Sequence, residues 1–188
     1  MDITPERTWR GRVFIATSLD GFIARHDSDL DWLTDPPAKP VHAVVHSDTR
    51  VVDYDTFMAE TDHLVMGRGT YDKVLTFGQW PYSQQQVVVL SATLPATDPR
   101  VTVTASMDET VALLSRRSAV NVYVDGGTVI QAFLRADLID ELTISQAPVL
   151  LGSGISLFGA LQHDVRLQLT ASNANDAGMT QATYLVHR

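Results

Sequence analysis

The sequence contains no cysteine. That excludes a disulfide framework, a thiolate metal site and a cysteine nucleophile. Long apolar runs are missing as well, since stretches such as Val87 to Leu90 fall far short of the ~20 residues that span a bilayer. The first residues, MDITPERTWRGR, are polar and of mixed charge, so no signal peptide is expected and the cytoplasm is the expected location. Basic residues are few: 14 Lys and Arg stand against 22 Asp and Glu, a net charge of −8. A general binder of nucleic acid or of anionic membranes has the opposite balance. Neither is expected as a partner, and any bound anion must be met by a local site. His26, His42, His46, His63, His163 and His187 show no metal-ligand spacing, and the His42/His46 pair lacks the glutamate of a zinc-protease motif. No metal is expected. Neither a G-x-S-x-G elbow, a Walker loop nor a Rossmann fingerprint occurs.

What is present is 188 residues, 45% hydrophobic and 19% charged, the profile of a single globular domain. Residues 1–11 read as an N-terminal arm and residues 12–188 as the domain. Short β-branched runs predict strands over 12–17, 63–66, 86–90, 101–104, 120–124 and 141–146. Helices are expected over 49–60 (capped by Ser47 or Asp48), 69–75, about ten residues after the Ser106-x-x-Glu109 capping box, and 128–134. Residues 22–47 read as a long loop with one helical turn near Leu30 to Leu33. Alternation of apolar residues at Val165, Leu167 and Leu169, and again over Thr180 to Val186, predicts a terminal hairpin turning over Asn173 to Gly178. Strand–helix alternation followed by that hairpin predicts an α/β fold with a largely parallel sheet.

Three motifs fall at the carboxyl ends of apolar strands, the edge at which open α/β sheets bind ligands. Val122-Tyr-Val-Asp125-Gly126-Gly127-Thr128 leads through glycines into a helix start, where free N–H groups favour an anion. Met66-Gly67-Arg68-Gly69-Thr70-Tyr71 places an arginine at a second helix start. Leu90-Ser91 closes a third strand. Taken singly, these are a tight turn, a solvated arginine and a plain strand end; together they point to a nucleotide site. Asp20, in Ser-Leu-Asp-Gly, leaves a strand and reads either as a site acid or as an Asp-Gly turn. Asp53 and Asp55 read as the solvent face of the first helix.

These pieces carry a resemblance. Ile15-Ala-Thr-Ser-Leu-Asp-Gly-Phe-Ile-Ala24, Asp29-Leu-Asp-Trp-Leu33, Met66 to Tyr71, Phe77-Gly-Gln-Trp-Pro-Tyr82, Val122 to Gly127 and Ala147-Pro-Val-Leu-Leu-Gly152 occur in an order that resembles the dihydrofolate reductase-like superfamily. Within it the chain looks most like stand-alone bacterial relatives of the riboflavin-biosynthesis reductase (RibD C-terminal) domain. The likeness covers about residues 11 to 187. It implies a three-layer fold, with a mostly parallel mixed sheet flanked by helices and ending in an antiparallel hairpin, and it implies a homodimer. It also implies NADPH as cofactor, with Gly67, Arg68 and Thr70 on its phosphates, Gly126, Gly127, Thr128 and Val129 against the diphosphate, Leu90 and Ser91 by the adenine, and Ala16 at the carboxamide. On the substrate side it offers two acids. Asp53 stands four residues before Phe57, as the pterin-binding acid of dihydrofolate reductases stands before a Phe; Asp20 matches the acid of the riboflavin-type reductases. Trp32, on the long loop, reads either as lying over the open site, against substrate together with Phe57, or as a core- or lid-packing tryptophan. One departure is Asp125, where many relatives carry a third glycine. The implied activity is hydride transfer from NADPH to a small pteridine- or pyrimidine-like heterocycle or to a carbonyl compound. The alternatives are a genuine dihydrofolate reductase, or a protein that binds NADPH without turnover.

Overall fold

The computed structural model describes residues 7–34 and 51–187. Eight strands form one sheet in the order β5-β4-β3-β6-β1-β7-β10-β9. Its centre comprises β1 (Arg10–Ser18), β3 (His63–Gly67), β4 (Gln86–Leu90) and β6 (Asn121–Asp125), with β5 (Val101–Thr104) at one edge and β7 (Glu141–Ala147) on the other side. All six run parallel. β9 (Arg166–Ala174) and β10 (Thr180–His187) complete the sheet as an antiparallel hairpin against β7. β3, β4 and β6 are nearly continuous in apolar residues because both of their faces are covered.

Two cores result. On one face α4 (Met107–Arg116) and α5 (Gly127–Arg135) pack with Val13, Val65, Val124 and Leu142. On the other, α2 (Tyr54–Glu60) and α3 (Arg68–Leu75) pack with Leu64, Met66, Val89 and Tyr123. α3 follows β3 on one face while α5 follows the adjacent β6 on the opposite face. The sheet therefore has its topological switch point between β3 and β6, where the two connections part and leave a crevice. This is what brings the two glycine motifs together, with Met66 in register with Asp125.

Several boundaries differ from the sequence reading. β1 begins at Arg10, and Trp9 ahead of it is 2% exposed in the core. The long loop contains a short strand, β2 (Phe22–Ala24), as well as the expected turn, α1 (Asp31–Thr34). β2 pairs with β8 (Ile155–Ser156), 130 residues on, so nothing local announced it. The helix expected over 49–60 begins at Tyr54, with Asp53 as its N-cap; the alternative caps Ser47 and Asp48 lie outside the described residues. Buried Arg12 anchors α2, pairing with Glu60 and Glu141 at 2.9 Å each while its guanidinium lies over the Phe57 ring at 4.7 Å. A hydrogen-bonded, paired arginine is how a charge is tolerated at this depth.

Candidate active site

A cavity of about 710 Å³ opens at the switch point. Its floor on one side is made by the starts of α3 and α5. The N–H groups of residues 68–70 and 127–129 precede the first helical hydrogen bonds and point out of their helix ends, each carrying the partial positive charge of the helix dipole. Gly126 caps α5 with φ +88°, a conformation that L side chains avoid. A Cβ there would also collide with the Thr70 hydroxyl, and one at Gly127 would come within 2.9 Å of the Ser156 carbonyl. The turn into α5 can pack this closely against Thr70 of α3 and Ser156 of β8 only because both positions lack a side chain. The Gly126 N–H itself is taken, donating to Asp125 Oδ1 at 2.8 Å.

Arg68 stands at the mouth. Its guanidinium donates to the Thr93 hydroxyl at 3.2 Å and lies 3.4 Å from Asp72 Oδ2, both long contacts on exposed groups. Weakly held and half exposed, it is free to exchange these partners for an arriving anion. Ala16, Gly67, Leu90, Thr128 and Val129 line the same cavity. Ser91 does not: its hydroxyl accepts from the Thr93 and Leu94 N–H groups and shapes the turn after β4.

Another part of the wall is aromatic, formed by Phe14, Tyr54, Phe77, Tyr82 and Tyr123. Tyr54 meets Phe14 edge-on at 5.5 Å, and the Tyr123 hydroxyl donates to the Phe14 carbonyl at 2.9 Å. Asp125 ends β6 among these rings. Burial pushes its carboxyl up to about 6, against the opposing effect of the Gly126 N–H and the Tyr123 hydroxyl. The same burial, with the Asp125 charge nearby, raises Tyr54, Tyr82 and Tyr123. Asp125 is thus the lining acid poised between its two protonation states near neutrality, the property that general acid–base work requires. Sequence reading treated it only as a missing glycine. Its signal was a carboxylate at the carboxyl end of a buried strand, but the aromatic cage that gives it meaning comes from three other elements.

The two acids singled out by sequence lie elsewhere. Asp20 accepts from the Ser18 hydroxyl at 2.6 Å, the Leu151 N–H at 3.1 Å and the Gly152 N–H at 2.7 Å. The Ser18 bond leads in holding its carboxyl below the usual range. It fastens the β1–β2 turn to the β7–β8 loop and does not line the cavity. Asp53 is likewise held low, first by the Thr56 N–H at 2.8 Å and then by the Thr56 hydroxyl at 3.1 Å. Asp53→Ala should therefore lower the thermal midpoint by about 2–4 °C, as loss of an N-cap does, and leave NADPH affinity unchanged; differential scanning fluorimetry with and without NADPH reads both.

Phe57, expected against substrate, is 0% exposed and packs in the core between Phe14 and Tyr123, so no ligand reaches it. Trp32 does not line the cavity either; the neighbouring Leu30 and Leu33 do. A four-residue helix presents one narrow face, and here the leucines occupy it. Among the described residues no cluster of His, Asp and Glu is arranged to hold a metal, and no helix is long and apolar enough to cross a membrane.

Comparison with known proteins places this geometry. The pattern that defines the RibD C-terminal domain matches residues 11–180. A protein from Shewanella sp. PV-4, assigned to riboflavin biosynthesis, has a crystal structure with 37% identity and a TM-score of 0.81, covering 95% of this chain and 99% of that one. The uncharacterised protein YwjB of Bacillus subtilis is 32% identical over 162 residues, 84% of this chain and 87% of that protein. Dihydrofolate reductase from Enterococcus faecalis, complexed with NADP(H) and RAB-propyl, shares the fold at 19% identity, with a TM-score of 0.65 over 97% of this chain and 98% of that one.

Proposed function

Because the chain belongs to the RibD C-terminal domain family, we propose that it is an NADPH-dependent reductase of small planar heterocycles or carbonyl compounds. The observation that carries this reading is the meeting of two helix N-termini and Arg68 at the switch point, opposite an aromatic wall that holds one poised acid. The residues fit the cofactor. Two adjoining helix starts suit a diphosphate, the glycines at 126 and 127 let their turn close on Thr70 and Ser156 at the cavity edge, and Arg68 supplies the cation that a 2′-phosphate needs. When bound, NADPH supplies the hydride.

The chain's own part is positioning and proton supply. Phe14, Tyr54 and Tyr82 stack and confine the substrate ring and exclude water. As a substrate C=N or C=O carbon receives the hydride, its nitrogen or oxygen takes up a proton. Asp125 holds that proton on its carboxyl and afterwards regains one from solvent. Asp20, as turn fastener, and Asp53, as helix cap, do not supply this proton.

The test is direct titration of the purified protein with NADPH, followed by tyrosine and tryptophan fluorescence. Saturable binding with micromolar affinity is expected, with NADH much weaker, followed by loss of absorbance at the reduced-nicotinamide band when an acceptor heterocycle is added. Absence of saturable NADPH binding removes the reading; binding without oxidation by any pterin, pyrimidine or quinone leaves a nucleotide-binding protein.

A homodimer forms part of the same proposal. β9 is a nine-residue edge strand whose Leu167 and Leu169 are 42% and 53% exposed, and long apolar edges of this kind are normally covered. Sedimentation is expected to give the mass of two chains, and Leu169→Lys that of one.

A further inference from the structure

A second cavity, of about 240 Å³, adjoins the first across Tyr54, which lines both. Its chemistry is different. The main cavity is walled by rings and aliphatic groups, whereas this one is bounded by Asp53, Ser145, Asn173, Asn175 and Gln181, with Met179 at its side. Strand register explains why these residues meet. Gln181 of β10 stands opposite Ser145 of β7 on one side and Asn173 of β9 on the other, so three polar side chains form a row across one face of the sheet.

The next row inward on the same face is instructive. There Thr143 and Thr183, also opposite one another, are buried and satisfy each other at 3.0 Å between hydroxyl oxygens. The outer row is not closed in this way. Among the described residues no side-chain hydrogen bond engages Ser145 or Gln181. Asn173 Oδ1 accepts from the Ala174 N–H at 2.8 Å, and Asn175 Oδ1 accepts from the Ala177 and Met179 N–H groups at 3.0 Å each. Those bonds fix the two carboxamides and leave both NH2 groups as donors. Asp53, whose oxygens each accept one bond from Thr56, keeps lone pairs to offer from the facing helix start. Donors therefore stand on one wall and an acceptor on the other, with Asp53 the charged group among the lining residues.

We propose that this annex is a subsite for an uncharged, hydroxyl- or amide-bearing arm of the molecule whose ring occupies the main cavity. The proposal rests on the substrate reading of that cavity. Donors on one wall and an acceptor on the other match a polyol arm, whose hydroxyls each donate and accept. An anionic arm is disfavoured, because it would face Asp53 with no cation among the described lining residues.

The experiment compares three pteridines that share one fluorescent ring: pterin, neopterin with its trihydroxypropyl arm, and neopterin monophosphate. Each is titrated into the full-length protein saturated with NADP+. Neopterin is expected to bind ~10-fold tighter than pterin, the net yield of two or three hydrogen bonds, and the monophosphate no tighter than pterin. In the double variant Ser145→Ala/Gln181→Leu the advantage of neopterin should fall to ~2-fold or less, with pterin affinity unchanged. That unchanged affinity also shows that the variant is folded. Equal binding of pterin and neopterin, or an advantage that survives in the variant, overturns the annex alone. Tighter binding of the monophosphate overturns the uncharged character of the arm. Failure of all three to bind the NADP+ complex overturns both the annex and the substrate reading of the main cavity.

Discussion

Asp125→Asn is expected to cut the rate of hydride transfer by ~10²–10³-fold, the usual weight of a positioned general acid, while NADPH affinity changes little. The substitution preserves shape, and its amide oxygen can still accept from the Gly126 N–H. What it removes is the titrating proton. The wild-type kcat/KM should fall as pH rises through about 6, where the Asp125 carboxyl loses its proton, and the Asn variant should lack that limb. Pre-steady-state absorbance of the reduced nicotinamide across pH 5 to 8 reads both effects. A variant with an unchanged pH profile would show that the proton comes from elsewhere.

The same shift has a consequence for stability that catalysis does not enter. In the folded chain Asp125 keeps its proton up to about pH 6, whereas in the unfolded chain it releases it near 3.8. The folded state therefore binds the extra proton between those values, and its stability declines as pH rises through the window. The wild type should lose ~3 kcal/mol by this route between pH 4 and pH 7. The Asn variant should be spared that loss, so it becomes the more stable protein above pH 6. Urea unfolding at pH 4.5 and pH 8 measures the crossover. A residue that lowers stability at working pH and is placed among rings at a ligand cavity fits a functional role better than a structural one.

Arg68→Ala is the second large effect. A guanidinium on a phosphate contributes charge-assisted, two-pronged hydrogen bonds, so its loss should weaken NADPH by ~30–100-fold. NADH, which has no 2′-phosphate to present, should bind within about 2-fold of its wild-type affinity. Arg68→Lys should recover part of the loss, because charge returns without the planar fork. Isothermal titration with both cofactors decides the matter. An equal loss for the two would move Arg68 from the 2′-phosphate to the shared diphosphate. Raising the salt concentration should reduce the NADPH advantage in the wild type, since Arg68 is half exposed and open to screening.

Much of the fold was legible along the chain because its signals are local. Near-continuous Val, Leu and Met in β3, β4 and β6 report strands buried on both faces, and the glycines after β3 and β6 report the turns into α3 and α5. Those cues also placed Gly67, Arg68, Thr70 and the Gly126–Val129 turn on one edge of the sheet, where the structure has them line a single cavity. The substrate side was not legible in the same way. Asp20 and Asp53 occupy positions that family motifs mark, yet Asp20 is bound to the backbone N–H groups of Leu151 and Gly152, and Asp53 caps α2 through Thr56. Hydrogen-bond partners 131 residues distant leave no trace in local sequence. Trp32 and Phe57 were chosen for ring chemistry, but helix phase turns one away from the cavity and seals the other in the core.

The absence of cysteine closed thiolate and disulfide chemistry to these 188 residues from sequence alone, and the acidic balance made a general polyanion binder the unexpected reading. Strand and turn propensities, which act within a few residues, set the elements and the ligand-binding edge. Which carboxylate faces that edge depended on long-range packing. Only when β1, α2, the segment ahead of β4 and β6 come together do Phe14, Tyr54, Tyr82 and Tyr123 desolvate Asp125 and lift it toward neutrality. A pKa is a property of surroundings, and those surroundings exist only in the folded chain.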